Sequence, residues 1–266
     1  MTVIARGELT GRINTAIGYL YFRTAGKGEL PVLFAHSFAG SSRQWDSQFR
    51  SRKENQYVAF DFRDHGRSEK VTGNAFHPRS LAADILSVAD HLDLKRFVLV
   101  GHSMGGSAAV AFTDAHPERV DGLVLCGTPG KTPQELSDPI IASLKSENYQ
   151  QVMDQYMQKL LNGAREDVKE LVMQEMRKMS KENFISVITT LFNYDPLPAL
   201  KRYNGPLLII TTTREKEQAN TLASQMPDAE TQVIEGTSHW PQLDQAGAFN
   251  AILDDFLISL KKNDSM

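Results

Sequence analysis

Ser103 stands in Gly101-His102-Ser103-Met104-Gly105-Gly106, after the apolar run Phe97-Val98-Leu99-Val100 and before a stretch of small, helix-compatible residues that Pro117 ends. A serine hydroxyl is a poor nucleophile unless a base takes its proton and a third group orients that base. A Gly-x-Ser-x-Gly turn between a buried strand and a helix presents the serine itself, as a nucleophile elbow that pushes it out at the strand's carboxyl end. Glycines flank the serine because side chains in so tight a turn would strike neighbouring backbone. The free N–H groups and positive end of the following helix then face the place where an oxyanion develops. Of the seven histidines, His239 is the one in a loop just after the last strand, in Gly236-Thr237-Ser238-His239-Trp240-Pro241. A doubly wound sheet returns such a loop to its carboxyl edge, where the base is needed. His36 and His65 lie in turns before the elbow, and His102 is part of it.

The elements that position these groups read in chain order. Residues 4–25 form an antiparallel edge hairpin, with 17–22 as its best strand. Pro31-Val32-Leu33-Phe34-Ala35 is the first continuous apolar strand, and a helix with Trp45 and Phe49 on one side follows it. A strand over 57–60, a helix over 80–92, the elbow and a strand over 123–126 continue the alternation, which implies a parallel sheet with helices on both faces. From 132 to 203 no strand-like run appears, and helical periodicity takes over. The reading is a core of 1–131 and 204–266 with a helical cap inserted over the sheet's carboxyl edge at 132–203. Five of the nine methionines fall in that insertion, where they serve as packing. Strands over 206–211 and 230–234, a helix over 219–226 and a last helix over 247–260 complete the core, and the polar tail from 261 frays.

Composition sets bounds. At 266 residues, with a net charge of −3, the chain gives no reason to expect nucleic acid or an anionic membrane as partner. The basic run Arg50-Ser51-Arg52-Lys53 reads as a solvated helix end. No apolar run reaches the length of a membrane span, and the first twelve residues lack a signal-peptide core. The single cysteine, Cys126, lies in an apolar run and reads as a core thiol in a reducing, cytoplasmic compartment. No histidine, cysteine or carboxylate cluster has metal-ligand spacing, and no Gly-x-Gly-x-x-Gly follows the first strand, so neither a metal nor another cofactor is expected.

Taken together, His36-Ser37-Phe38-Ala39-Gly40, Asp61-Phe62-Arg63-Asp64-His65-Gly66-Arg67-Ser68, the elbow and Gly236-Thr237-Ser238-His239 resemble the α/β-hydrolase fold, of the esterase or lipase type with a helical cap. The resemblance implies an oxyanion hole from the backbone N–H groups of Phe38 and Met104, with the side chains of Phe38, Met104 and Trp240 as apolar walls and His102 beside the substrate pocket. It places the triad acid a few residues past the strand that ends at Thr211, which lands on Glu215, with Glu217 as the alternative. This chain departs from the family at Ser37 and Thr212, where glycine is usual, and in carrying glutamate as the acid. Asp61 and Asp64 read as turn formers, and Asp244 as a brace for the loop after His239. The expectation is a cofactor-free serine hydrolase, monomer or homodimer, acting on a small to medium apolar ester or lactone through an acyl-enzyme. Related chemistry on the same residues (perhydrolysis, carbon–carbon bond or thioester hydrolysis) and a low-turnover binding protein of the same fold are the alternatives.

Overall fold

The computed structural model describes residues 7–51, 54–71 and 75–263. Residues 4–6 of the expected hairpin, Arg52 and Lys53 of the basic run and 264–266 of the tail lie outside them.

Eight strands form one sheet: β1 (Glu8–Thr15), β2 (Gly18–Ala25), β3 (Val32–Ala35), β4 (Tyr57–Phe60), β5 (Phe97–His102), β6 (Val120–Cys126), β7 (Leu207–Thr212) and β8 (Thr231–Ile234). Their order across the sheet is β1-β2-β4-β3-β5-β6-β7-β8. The first two strands pair antiparallel with each other, β2 is antiparallel to β4, and the remaining pairs are parallel. This is the doubly wound, mostly parallel α/β sheet with an antiparallel edge that the alternation of apolar runs implied.

The central strands are fully buried because both their faces are covered, and alternate residues serve different layers. Leu33, Leu99 and Leu123 pack with Ile85, Val88 and Phe112 from helices Pro78–His91 and Met104–Ala115. Phe34, Val98 and Val100 pack on the other face with Trp45 and with Phe249 and Leu253 of helix Ala246–Asn263. Each such side chain contributes about 1.5–3 kcal/mol on full burial. Between β6 and β7 the chain forms helices Gln134–Lys145, Tyr149–Leu160, Glu166–Met176, Lys181–Asn193 and Leu197–Leu200. Met153, Met157 and Met176 are buried there, and Met173 and Met179 pack against the same cluster.

Two elements differ from expectation. Residues 219–226 hold only the short helix Leu222–Gln225, preceded by the single turn Thr213–Lys216. The backbone at 220–222 pairs across to the loop after β6 instead, through Gly130 N–H to Asn220 C=O (2.9 Å) and a bridge between Pro129 and Thr221. At the other end, the last helix runs through Asn263 rather than fraying from Lys261. Among the described residues, no helix is long and apolar enough to cross a membrane.

Candidate active site

Ser103 sits between β5 and helix Met104–Ala115 with φ 52° and ψ −112°, a region that costs a non-glycine residue about 1–3 kcal/mol. The surroundings over-determine it. Its N–H donates to Cys126 C=O (2.9 Å), and its C=O accepts from Ser107 N–H (3.1 Å). A Cβ at Gly101 would lie 2.6 Å from Gly105 O, and one at Gly105 would strike the backbone of Ala35 and His36. The glycines therefore let the turn, the helix and β3 close on one another. Ser103 Oγ makes no hydrogen bond among the described residues, and Ser103 and His239 open onto the same cavity.

His239 is held at three points. Its Nδ1 faces Glu215 Oε1 in a short hydrogen-bonded contact. Its backbone N–H donates to Leu160 C=O (3.0 Å), and its C=O accepts from His102 Nε2 (2.7 Å). Leu160 ends helix Tyr149–Leu160, so its carbonyl is one of those the helix leaves without an internal partner. Since a carbonyl only accepts, His102 carries its proton on Nε2. Its Nδ1 then accepts from Gln242 Nε2 (3.0 Å). Burial drives the His102 pKa well below its ordinary value, with His239 adding to the effect, so this ring stays neutral.

Glu215 is buried in the first turn after β7. Thr212 Oγ1 accepts Glu215 N–H (3.2 Å), and Glu215 Oε2 accepts Thr212 N–H (3.3 Å). This capping box gives the threonine at position 212 a structural role, and the Thr-x-x-Glu spacing was legible in the sequence. Glu217 is exposed at the end of the same turn.

The loop after β3 is fixed through Ser37. Its hydroxyl accepts from Trp240 Nε1 (3.1 Å) and donates to Gln44 Oε1 (3.1 Å), which also accepts Ser37 N–H (3.1 Å). A glycine would lose the two side-chain bonds. Phe38 N–H has no acceptor among the described residues, and Met104 N–H, at the first helical position, has none within its helix. His36 is fully buried, accepting Phe62 N–H at Nε2 (3.0 Å) and donating from Nδ1 to Ser37 C=O (2.7 Å). Asp61 ties the next turn by accepting Ser42 N–H (2.6 Å) and Arg67 N–H (2.8 Å). Asp244 braces the His239 loop, accepting from Ser238 N–H (2.9 Å) and Ser238 Oγ (2.6 Å).

The cavity holds about 350 Å³. The expected walls are not its walls: Phe38, Met104, His102 and Trp240 are all absent from its lining. Phe38 turns onto Phe184 (ring centroids 5.0 Å apart), Trp240 is held by Ser37, and His102 lies behind His239. The apolar lining comes instead from the segment between β6 and β7: Ile140, Val152, Leu160, Ile188, Leu191 and Phe192. Cys126 is buried, and burial together with the Glu215 carboxylate pushes its thiol well above the ordinary range, which leaves it inert as a nucleophile. Among the described residues, no group of three or more His, Cys, Asp or Glu side chains is placed to hold a metal ion. A larger depression of about 660 Å³ lies by the N-terminal hairpin, and no histidine lines it.

Known proteins resemble this chain in sequence and fold. The chain is 25% identical to the 2-hydroxy-6-oxononadienedioate/2-hydroxy-6-oxononatrienedioate hydrolase of Paraburkholderia xenovorans, over 90% of each chain. It is 36% identical to a serine hydrolase-like protein of Danio rerio over 41% of this chain, and the match spans only 34% of that relative. The solved structure of Est816, an N-acyl homoserine lactone degrading enzyme, shares the fold with a TM-score of 0.79 over 92% of this chain and 100% of that one, at 24% identity. The profile of the alpha/beta hydrolase family matches residues 32–252. The chain belongs to the alpha/beta hydrolase family.

Proposed function

We propose that this chain is a serine hydrolase of carboxylic esters or lactones, with residues 132–203 as the cap that shapes its pocket. The observation that carries the reading is the His239–Glu215 contact at the wall of the cavity onto which the strained Ser103 opens. In this reading Ser103 Oγ attacks the carbonyl carbon while His239 Nε2 takes its proton. Glu215 keeps the other imidazole proton on Nδ1 and stabilises the imidazolium. The N–H groups of Phe38 and Met104 receive the developing oxyanion, each worth a few kcal/mol in the transition state. His239 returns its proton to the leaving alcohol, and the acyl-enzyme is cleared by a water that His239 activates. Ser103 and His239 are not hydrogen-bonded to each other here, which fits a contact that tightens when substrate arrives.

Hydrolysis of a carbon–carbon bond on the same residues is the second reading, because the relative matched over 90% of the chain is named for a dienedioate hydrolase. A panel of p-nitrophenyl esters tests the first reading against a fluorophosphonate probe. Wild type should turn the esters over and take one label, on Ser103. Ser103→Ala should lose both at an unchanged melting temperature. Esterase activity that survives in Ser103→Ala, or a label mapping elsewhere, would refute it.

A further inference from the structure

The cavity described above carries an unbalanced charge. Three charged side chains besides His239 line it: Lys159, Arg214 and Glu215. The Glu215 carboxylate is already engaged by His239 and by Thr212 N–H. Neither Lys159 nor Arg214 has an ion pair or side-chain hydrogen bond among the described residues, although Arg23, Arg63, Arg119 and Arg202 each hold an acidic partner. Arg214 is half-buried and immediately precedes Glu215, whereas Lys159 is exposed and lines the cavity from the last turn of the helix that binds His239. Tyr156, in the same lining, adds no negative charge, since burial pushes its hydroxyl up to about 12. The rest of the lining is largely apolar. A cleft with an apolar wall and two unmatched cations attracts an anion that also has hydrocarbon to bury.

We infer that Arg214 and Lys159 select substrates that carry a carboxylate in addition to the scissile ester or lactone group. Arginine offers such a carboxylate a planar fork of donors, and lysine a point charge. The selection rests on the serine hydrolase reading, because it concerns what that site accepts. The carboxylate belongs either to the acyl part or to the alcohol part, and the two sources are separable. Monoethyl adipate against ethyl 6-methylheptanoate puts charge against a neutral isostere on the acyl side. The 3-carboxypropyl and 4-methylpentyl esters of butyric acid do the same on the alcohol side.

On at least one side, kcat/KM for the acid should exceed that for its isostere by about tenfold at low salt, and the preference should shrink as salt screens the charges. The double variant Arg214→Gln with Lys159→Gln should lower the acid-to-isostere ratio by about tenfold, and Arg214→Glu should lower it further. Because the readout is a ratio within one protein, a partly damaged variant still reports. Ser103-dependent hydrolysis without preference for the acid on either side, or a preference that survives the double variant, would overturn the inference and leave the hydrolase reading standing. Hydrolysis of all four esters that persists in Ser103→Ala would remove the hydrolase reading, and this inference with it.

Discussion

Glu215 serves two partners with one carboxylate, and that division makes its role testable. Oε2 closes the capping box with Thr212, while Oε1 faces His239 Nδ1. Glutamine can complete a capping box as glutamate does, so Glu215→Gln should keep its melting temperature within a few degrees. Its amide nitrogen cannot accept the imidazole proton, and the wrong tautomer should then cost about three to four powers of ten in kcat, as amide replacement does in a serine protease triad. Glu215→Asp withdraws the carboxylate by about 1.5 Å, too far to hold both partners, so it should lose activity and about 1 kcal/mol of stability together. Glu217→Gln, at an exposed position, should stay within about twofold of wild type. A silent Glu215→Gln in a kinetic assay would detach Glu215 from His239. The choice between Glu215 and Glu217 was open to strand register alone. Thr212 favours Glu215 in that reading, because a threonine three residues ahead of a glutamate recruits that glutamate into the first turn, where Glu215 is buried and Glu217 exposed.

At the scale of elements, the loops of the site are held by their own backbone. His102 donates to His239 C=O, and the helix ending at Leu160 accepts His239 N–H, so the imidazole is aimed by the end of β5 on one side and by helix Tyr149–Leu160 on the other. His102→Phe should leave a carbonyl without its donor, which costs about 1–3 kcal/mol. It should lower kcat by about tenfold or more with KM little changed, and His102→Gln, whose amide can donate, should restore part of the loss. A kcat equal to wild type in His102→Phe would show that His239 needs no such support. Strands β3, β5, β6 and β7 were legible because residues buried on both faces of a sheet form unbroken apolar runs. The helix expected over 219–226 was not, because backbone pairing with residues 128–130 outcompetes local propensity, and no periodicity reports a partner ninety residues away. The pocket walls were missed for a related reason. The positions of Phe38 and Trp240 in the chain were clear, but their directions depend on Phe184 and Ser37, which no local pattern connects to them.

The sheet and the helices between β6 and β7 are tied to each other through loops at the candidate site, so conditions that disturb those loops act on global stability. Asp64 accepts from Asn183 Nδ2 (2.8 Å), and Asp244 accepts from Arg165 N–H (3.0 Å). Beside the first of these ties lies His65, next to Asp64, with the ring of His36 5.2 Å from its own. Burial lowers the pKa of His36 to about 4, and burial together with the neighbouring His36 lowers that of His65 to about 3. An unfolded chain protonates histidine near 6.5. Below that pH the unfolded state binds protons that the folded state refuses, so the stability present above about 6.5 declines as pH falls. The decline ends only near 4 for His36 and near 3 for His65. Between pH 7 and pH 5 each ring should remove about 2 kcal/mol, a large share of the 5–15 kcal/mol typical of a folded domain. Asp61 and Asp84, whose carboxyls burial pushes upward against their hydrogen bonds, act in the opposite sense and temper the loss. His36→Gln isolates one contribution, since a glutamine amide can accept Phe62 N–H and donate to Ser37 C=O but does not titrate. In urea unfolding at the two pH values, the variant should lose about 2 kcal/mol less than wild type on acidification. Identical losses in the two proteins would mean that His36 is solvated or already protonated in the folded chain.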